Sequence, residues 1–413
     1  MPATSHTLAS STIIAGDHQP SSRHDLLADL LDRVQQVDPV IREHAAETER
    51  ERRLARPVHD ALISAGLQRL LTPLSLGGWE VDPVTCAHVI EAVARIDSAA
   101  GWALQANLGP WWTSRLPEQA AEELYGANPS TIMAAAFHPP QRAVEVDGGY
   151  RVTGRAPLAS GIHYSEWAQF SAFVMDGDRP RMTDAGPVMI AFVLPATDIQ
   201  IIDTWHTLGM RGTDSNDVAF EDVLVPSYRT FPLRPDCPLN RHFQRALYRF
   251  PAGAMVGLFS STVLLATARN AIDAFRDLAR RKTPFGSMKT LRDRGVVQSA
   301  LADAEAQLRA ARAFFYEAVS EAWMRTASGT PNALEDRADL LLAEINVART
   351  AASVTDIVHR LAGTTGIYER SPLERCFRDA HTLRHHGFVS ESKLETVGQI
   401  YLGLPPDFAL IHF

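Results

Sequence analysis

Lysine is nearly missing from this chain: of 40 basic residues only Lys282, Lys289 and Lys393 carry an ammonium, and the rest are arginine. Acidic residues outnumber basic ones, giving a formal charge of −8, and no basic stretch compensates, which argues against nucleic-acid binding. Cysteine is scarce. Cys86, Cys237 and Cys376 lie too far apart for a C-x-x-C redox pair or zinc-ligand spacing, so a reduced, cytoplasmic protein is expected. Long apolar runs are missing too. The longest charge-free segment, Phe250 to Ala268, contains Pro251, two glycines and four Ser/Thr residues, which suits a buried bundle helix and not a membrane span. Residues 1–23 have no basic region before an apolar run and are expected to be a mobile tail, not a signal peptide. G-x-G-x-x-G and G-x-x-x-x-G-K-[ST] are both absent, disfavouring a Rossmann dinucleotide site and a P-loop. So are G-x-S-x-G and H-E-x-x-H, which weakens hydrolase and zinc-protease readings.

What is present divides the 413 residues into three parts. Residues 24–126 have a helical period, with a break expected at Asp38-Pro39, a solvated charged face from Glu47 to Arg56, and a turn-rich segment from Leu71 to Gly78. Residues 127–232 change to a strand period. The Phe137-His138-Pro139-Pro140 segment is expected to be a turn. Asp147-Gly148-Gly149 between two alternating runs signals a hairpin, and Ala168–Val174 and Val188–Leu194 suit buried strands. Residues 233–413 return to helices. Val297, Leu301, Ala304, Leu308, Ala311, Phe315 and Ala318 follow the alternating spacing of four and three that makes a bundle seam. The order is therefore helices, a compact β domain and a helical bundle, which makes the chain α+β and mostly α.

Chemistry concentrates in a few places. Arg375 to Phe388 holds an Arg378-Asp379 pair with His381, His385 and His386; imidazole is the side chain that titrates nearest neutrality. His381 and His385 have i, i+4 spacing, but no carboxylate stands in the matching place, so no metal is expected. In the β portion, Leu158-Ala159-Ser160-Gly161 allows close backbone approach and offers a hydroxyl. Trp205 suits stacking on a planar ring, and Arg211 and Ser215 suit a phosphate. Arg281, Lys282 and Phe285 form a basic and aromatic cluster at a helix end. Trp111, Trp112, Phe137, His138 and His163 are candidates for a substrate pocket.

In order and spacing, these elements resemble the acyl-CoA dehydrogenase fold over about residues 25–403. The carriers are Gly66-Leu67 with Pro73 and Gly77-Gly78, Gly148-Gly149-Tyr150-Arg151-Val152-Thr153-Gly154, and Leu208-Gly209-Met210-Arg211-Gly212-Thr213. They continue with Val223-Leu224-Val225-Pro226, Phe285-Gly286, and Gly363–Gly366 running into Arg378-Asp379-Ala380. The resemblance implies an N-terminal helical domain, a central β-barrel-like domain and a C-terminal four-helix bundle, assembled as a homotetramer with flavin between the β domain and the bundle, the 281–286 cluster serving a neighbouring subunit's cofactor. Two departures matter. The glutamate that many such dehydrogenases carry nine residues after the Arg-Asp-Ala arginine falls on Gly387, and Phe137-His138-Pro139 stands in place of Thr-Glu-Pro.

Both departures are similar to the reduced-flavin-dependent, two-component monooxygenases of this fold, which include aromatic hydroxylases, dibenzothiophene-type sulfur oxygenases and amino-sugar N-oxygenases. That resemblance implies reduced FMN or FAD (FMN slightly preferred) delivered by a separate NAD(P)H:flavin reductase, and a C4a-hydroperoxyflavin formed with O2. The substrate would be a small aromatic or heteroatom-containing molecule. Ser160, or the main-chain N–H of Ala159 or Ser160, would donate a hydrogen bond near flavin N5; His386 or His385 would be the base. The alternatives are an acyl-CoA dehydrogenase with FAD and a relocated base, and a non-catalytic flavin-fold binding protein.

Overall fold

The computed structural model describes residues 23–184 and 186–413, so the expected N-terminal tail lies outside the described residues save for Arg23. Among the described residues seven helices come first: α1 (Arg23–Glu43), α2 (Ala45–Glu51), α3 (Arg56–Ser64), α4 (Pro83–Ile96), α5 (Ser98–Ala106), α6 (Pro110–Thr113) and α7 (Glu118–Tyr125). The break expected at Asp38-Pro39 does not occur, because α1 runs through Pro39. A mid-helix proline costs about 3 kcal/mol. Leu30, Val34, Val37 and Ile41 are all buried on one stripe spanning it, and four such side chains at about 1.5–3 kcal/mol each outweigh that cost.

The strands follow: β1 (Met133–Val146), β2 (Gly149–Ala159), β3 (Trp167–Asp176), β4 (Arg179–Pro180), β5 (Met182–Thr183), β6 (Gly186–Pro187), β7 (Met189–Pro195), β8 (Gln200–Ile202), β9 (Asn216–Pro226) and β10 (Thr230–Pro232). The main sheet has the order β10-β7-β3-β1-β2-β9-β8, with β4 added to β3. Among the described residues only β1 and β3 are parallel neighbours. The sheet is open, ending at β10 and β8, and so is not the barrel-like domain that the resemblance implied. The Asp147-Gly148-Gly149 hairpin forms as expected, with Val146 opposite Gly149. Phe137–Pro140 is not a turn; it is an irregularity inside β1, where the pairing with β3 shifts between Ala136 and Gln141 around a cis His138–Pro139 bond. Prolines without N–H groups interrupt the ladder there, while the flanking residues keep pairing on both sides.

The C-terminal part holds α8 (Ala252–Arg281), α9 (Gly295–Ala327), α10 (Leu334–Ala362), α11 (Pro372–Leu383) and α12 (Leu394–Tyr401). The first four pack as the bundle, and α8 also packs against α4 and α5. Burial on several sides explains why α8 is long and apolar enough to cross a membrane yet lies mostly buried inside the protein. The α9 seam faces inward as its spacing demands, with Leu301 half-buried and the other six positions buried.

The β and helical parts meet at Gly209. A Cβ there would come within 2.4 Å of the Arg378 carbonyl carbon and oxygen, so only glycine lets the 208–210 turn lie on α11. Gly209→Ala should cost roughly 1–3 kcal/mol, whereas Gly398→Ala, in α12 with nothing within 4 Å of the new methyl, should be neutral or stabilising by up to about 1 kcal/mol. Urea unfolding of the two variants beside the parent chain checks both signs.

Candidate active site

Asp97 begins α5 by accepting from the Ala100 N–H at 3.0 Å, and about one turn later Trp102 sends its indole N–H to Ser160 Oγ at 3.1 Å. Ser160 Oγ lies 2.7 Å from Ser215 Oγ, which lies 2.8 Å from Thr213 Oγ1, which donates to the Met210 carbonyl at 2.8 Å. The same carbonyl accepts from the Trp205 indole at 3.1 Å. Ser160, Ser215 and Trp205, separate candidates in the sequence, therefore share one buried network. The Ser160 N–H is spent on the Leu158 carbonyl (3.0 Å), which removes it as the alternative main-chain donor. Ala159 is fully buried opposite Asn216 in the β2–β9 ladder. Beside them Leu158 holds a left-handed backbone (φ 64°) and presents an apolar side chain that is 55% exposed. A strained aliphatic residue on show is a feature of functional sites.

The histidines separate. His381, on α11, is hydrogen-bonded to Asp356 (2.9 Å), and His385 is exposed. His386 turns inward after α11, its ring edge-on to Trp102 at 5.2 Å and stacked with Phe388 at 5.9 Å. Its Nδ1 is buried without a hydrogen-bond partner, and desolvation lowers its pKa to about 4. The ring is therefore neutral near pH 7 and keeps its acceptor capacity. Trp102 joins this histidine to Ser160, and sequence reasoning missed it; its position one turn after an Asp N-cap was the only available signal.

The remaining candidates fall in other places. Trp111, Trp112 and Phe137 form an aromatic wall, with neighbouring ring centroids 4.0 and 4.5 Å apart. His138 is exposed on the β1 irregularity. His163 is held by Asp214 through both its ring nitrogen (2.6 Å) and its N–H (2.8 Å), and this double contact spends that ring nitrogen within the fold. Arg211 donates to the Thr207 carbonyl (3.0 Å) and lines a cleft of about 840 Å³ with Arg50 and Arg52. Lys282 is partly committed within the fold: two of its three ammonium hydrogens hold the Ala362 carbonyl (2.5 Å) and Thr365 Oγ1 (2.6 Å), capping the end of α10. Arg281 and Phe285 are exposed.

The 47–56 segment is not wholly solvated either. Glu49 is half-buried, and Arg378 reaches it at 2.8 Å while also gripping Glu374 and the Leu208 carbonyl. Arg375 pairs with Asp97 at 2.8 Å and lies 3.6 Å from Glu49 and Asp379. Asp379 is buried and accepts the Met210 N–H at 2.6 Å. Desolvation raises its pKa to about 6, against the opposing pull of Arg375 and that N–H.

Three helical and sheet parts, joined at this arginine–aspartate cluster beside a hydroxyl network and a neutral histidine, define a class. The chain belongs to the flavin-dependent monooxygenases built on the acyl-CoA dehydrogenase fold. It matches the families "Acyl-CoA dehydrogenase, N-terminal domain" over residues 26–115 and "Acyl-CoA dehydrogenase, C-terminal domain" over residues 258–391. It is 34% identical to the indole-3-acetate monooxygenase of Pseudomonas putida, across 88% of this chain and 91% of that one. It is 28% identical to the flavin-dependent monooxygenase, oxygenase subunit HsaA, of Rhodococcus jostii, across 86% and 93%. Among solved structures it is similar to XiaF from Streptomyces sp. in complex with FADH2 and glycerol, with a TM-score of 0.86 and 26% identity over 93% of this chain and 98% of that one.

The lowered pKa of His386 has a sign for stability. The unfolded ring takes a proton near its ordinary 6.5, the folded ring only near 4, so the native state is progressively penalised as pH falls from about 6.5 to 4. In His386→Gln this contribution vanishes, and the variant should lose less unfolding free energy than the parent between pH 7 and pH 4. Denaturant unfolding at a series of pH values measures the difference.

Proposed function

We propose that this chain is the oxygenase component of a two-component system that takes reduced flavin and O2 and oxygenates a small aromatic substrate. The observation that carries this reading is Trp102, which ties the Ser160 hydroxyl to His386 in one water-poor cluster, while Gly387 stands where a dehydrogenase would present its carboxylate. The residues suit a flavin. Ser160 has hydrogen-bonding capacity at a ring edge, exposed Leu158 offers an apolar platform, and Arg211 offers a guanidinium to a phosphate from a cleft whose lining mixes arginines with Glu49, Glu369 and Glu374. The similarity to a protein solved with FADH2 puts reduced FAD ahead of FMN. Bound reduced flavin supplies the electrons that activate O2.

The protein's own part is proton handling and exclusion of water. His386 accepts a hydrogen bond from a substrate hydroxyl or ring N–H, raising electron density at the carbon to be oxygenated. An anionic neighbour in the loaded site raises the imidazole pKa back from about 4 toward neutrality, making it a better base. The Trp111–Trp112–Phe137 wall offers an apolar surface suited to a substrate pocket that excludes water. Phenolic and indolic substrates fit this chemistry, and relatives named for indole-3-acetate oxygenation support it.

Electrons come from a separate NAD(P)H:flavin reductase, as similarity to a protein named as an oxygenase subunit supports. We place the protein in the cytoplasm as a homotetramer. Phe285 and Met288, fully exposed between α8 and α9, support a subunit contact there. The test supplies anaerobically reduced FAD, then O2 and a phenol or an indole. Oxygenated product should form with the parent chain, and His386→Ala should lower product per O2 consumed about tenfold or more while reduced-flavin affinity changes less than about twofold. Unaltered product yield in that variant removes His386 from the chemistry, and bleaching of bound FAD by an acyl-CoA with no oxygenation overturns the oxygenase reading.

A further inference from the structure

The hydroxyl network has a direction that its heavy atoms dictate. Three oxygen–oxygen contacts run in series: Ser160 to Ser215 (2.7 Å), Ser215 to Thr213 (2.8 Å), and Thr213 to the Met210 carbonyl (2.8 Å). Each contact needs one proton between its oxygens, and only the three hydroxyls carry one. The carbonyl has none to give, so the Thr213 proton points at it. The Ser215 proton must then point at Thr213, and the Ser160 proton at Ser215. At the other end the Trp102 indole only donates, and it donates to Ser160 at 3.1 Å. Ser160 Oγ has thus committed its single proton, accepted one hydrogen bond, and kept one lone pair.

We infer that Ser215 and Thr213 are positioning residues that polarise Ser160, making its hydroxyl an acceptor toward the cofactor and thereby selecting the reduced flavin over the oxidised one. This rests on the flavin reading above, and it reverses the donor role that the sequence suggested for Ser160. The discrimination is elementary. Reduced flavin carries a hydrogen on N5 and can donate to a lone pair; oxidised flavin presents an N5 lone pair, which meets the Ser160 lone pair without a proton between them. An oxygenase that takes its flavin already reduced from another protein needs this preference, because it keeps oxidised flavin from occupying the site. Trp102 makes the arrangement tighter, since its N–H prevents the Ser160 hydroxyl from turning round. The network is almost wholly buried, with Ser160, Thr213 and Ser215 all at 7% exposure or less, so water does not substitute for a missing proton.

The experiment measures binding, with no turnover: the full-length protein is titrated anaerobically with oxidised FAD and with dithionite-reduced FAD, and the two dissociation constants are compared. The parent chain should bind the reduced form more tightly. In Thr213→Val the Ser215 proton loses its acceptor and turns to Ser160, whose own proton is released toward the ring edge. Ser215→Ala frees the Ser160 proton directly. In both, the reduced-over-oxidised preference should fall about fivefold to tenfold, the worth of one hydrogen bond, chiefly through tighter binding of oxidised FAD. Thr213→Ser restores the hydroxyl and should restore the preference. If both dissociation constants shift together, leaving their ratio within about twofold of the parent in Thr213→Val and Ser215→Ala, the relay is structural only and the inference fails. A parent chain that binds neither form instead removes the flavin reading, and the relay's selectivity goes with it.

Discussion

Everything in the site depends on the ion pair between half-buried Arg375 and buried Asp379. Asp379 holds the Met210 N–H, and Arg375 bridges from Asp379 to Asp97 at the start of α5 and toward Glu49 on α2. One turn of α11 therefore touches all three parts of the chain. Burying these charges is costly unless each is paired, and removing one partner of such a set typically costs 3–5 kcal/mol. The arrangement persists because every member faces an opposite charge or a backbone donor, and because Gly209 lets the β-domain turn come close enough to supply one.

The consequences run outward along the backbone. Asp97 caps α5, so fixing Asp97 fixes the start of the helix that carries Trp102. Met210 supplies the carbonyl on which the hydroxyl series ends, so fixing its N–H fixes the anchor of Ser215 and Ser160. The continuation of α11 delivers His386 to the other side of Trp102. Ionic pairing at the domain junction is thus converted into hydrogen-bond geometry at a site whose members come from α5, the turn after β2, the 210–215 turn and the segment after α11.

Much of this was legible beforehand. Periodicity marked the α9 seam and the Asp147–Gly149 hairpin, because each depends on spacing within a few residues. The ordered motifs from Gly66 to Ala380 marked the fold. His386 and Ser160 stood out as chemistry-bearing residues near those motifs. Other readings failed where distant contacts override local preference. Pro39 sits inside a helix because a buried stripe spans it, and Phe137–Pro140 continues a strand because β3 pairs on both sides. The open sheet, in place of the expected barrel, is a matter of which edges meet, and that is invisible in strand-sized windows.

By itself, the sequence determined the element types, the order of the three parts and the residue types able to do the chemistry, since these follow from local periodicity, turn residues and side-chain functional groups. Only the tertiary structure decided which of two adjacent histidines turns inward, that Trp102 stands between it and Ser160, and which way the serine's proton points. The physical reason is range. Helical and strand periods are written within about ten residues, but the burial that strips His386 of its proton and the series of contacts that orients Ser160 exist only when segments dozens to hundreds of residues apart are packed against one another.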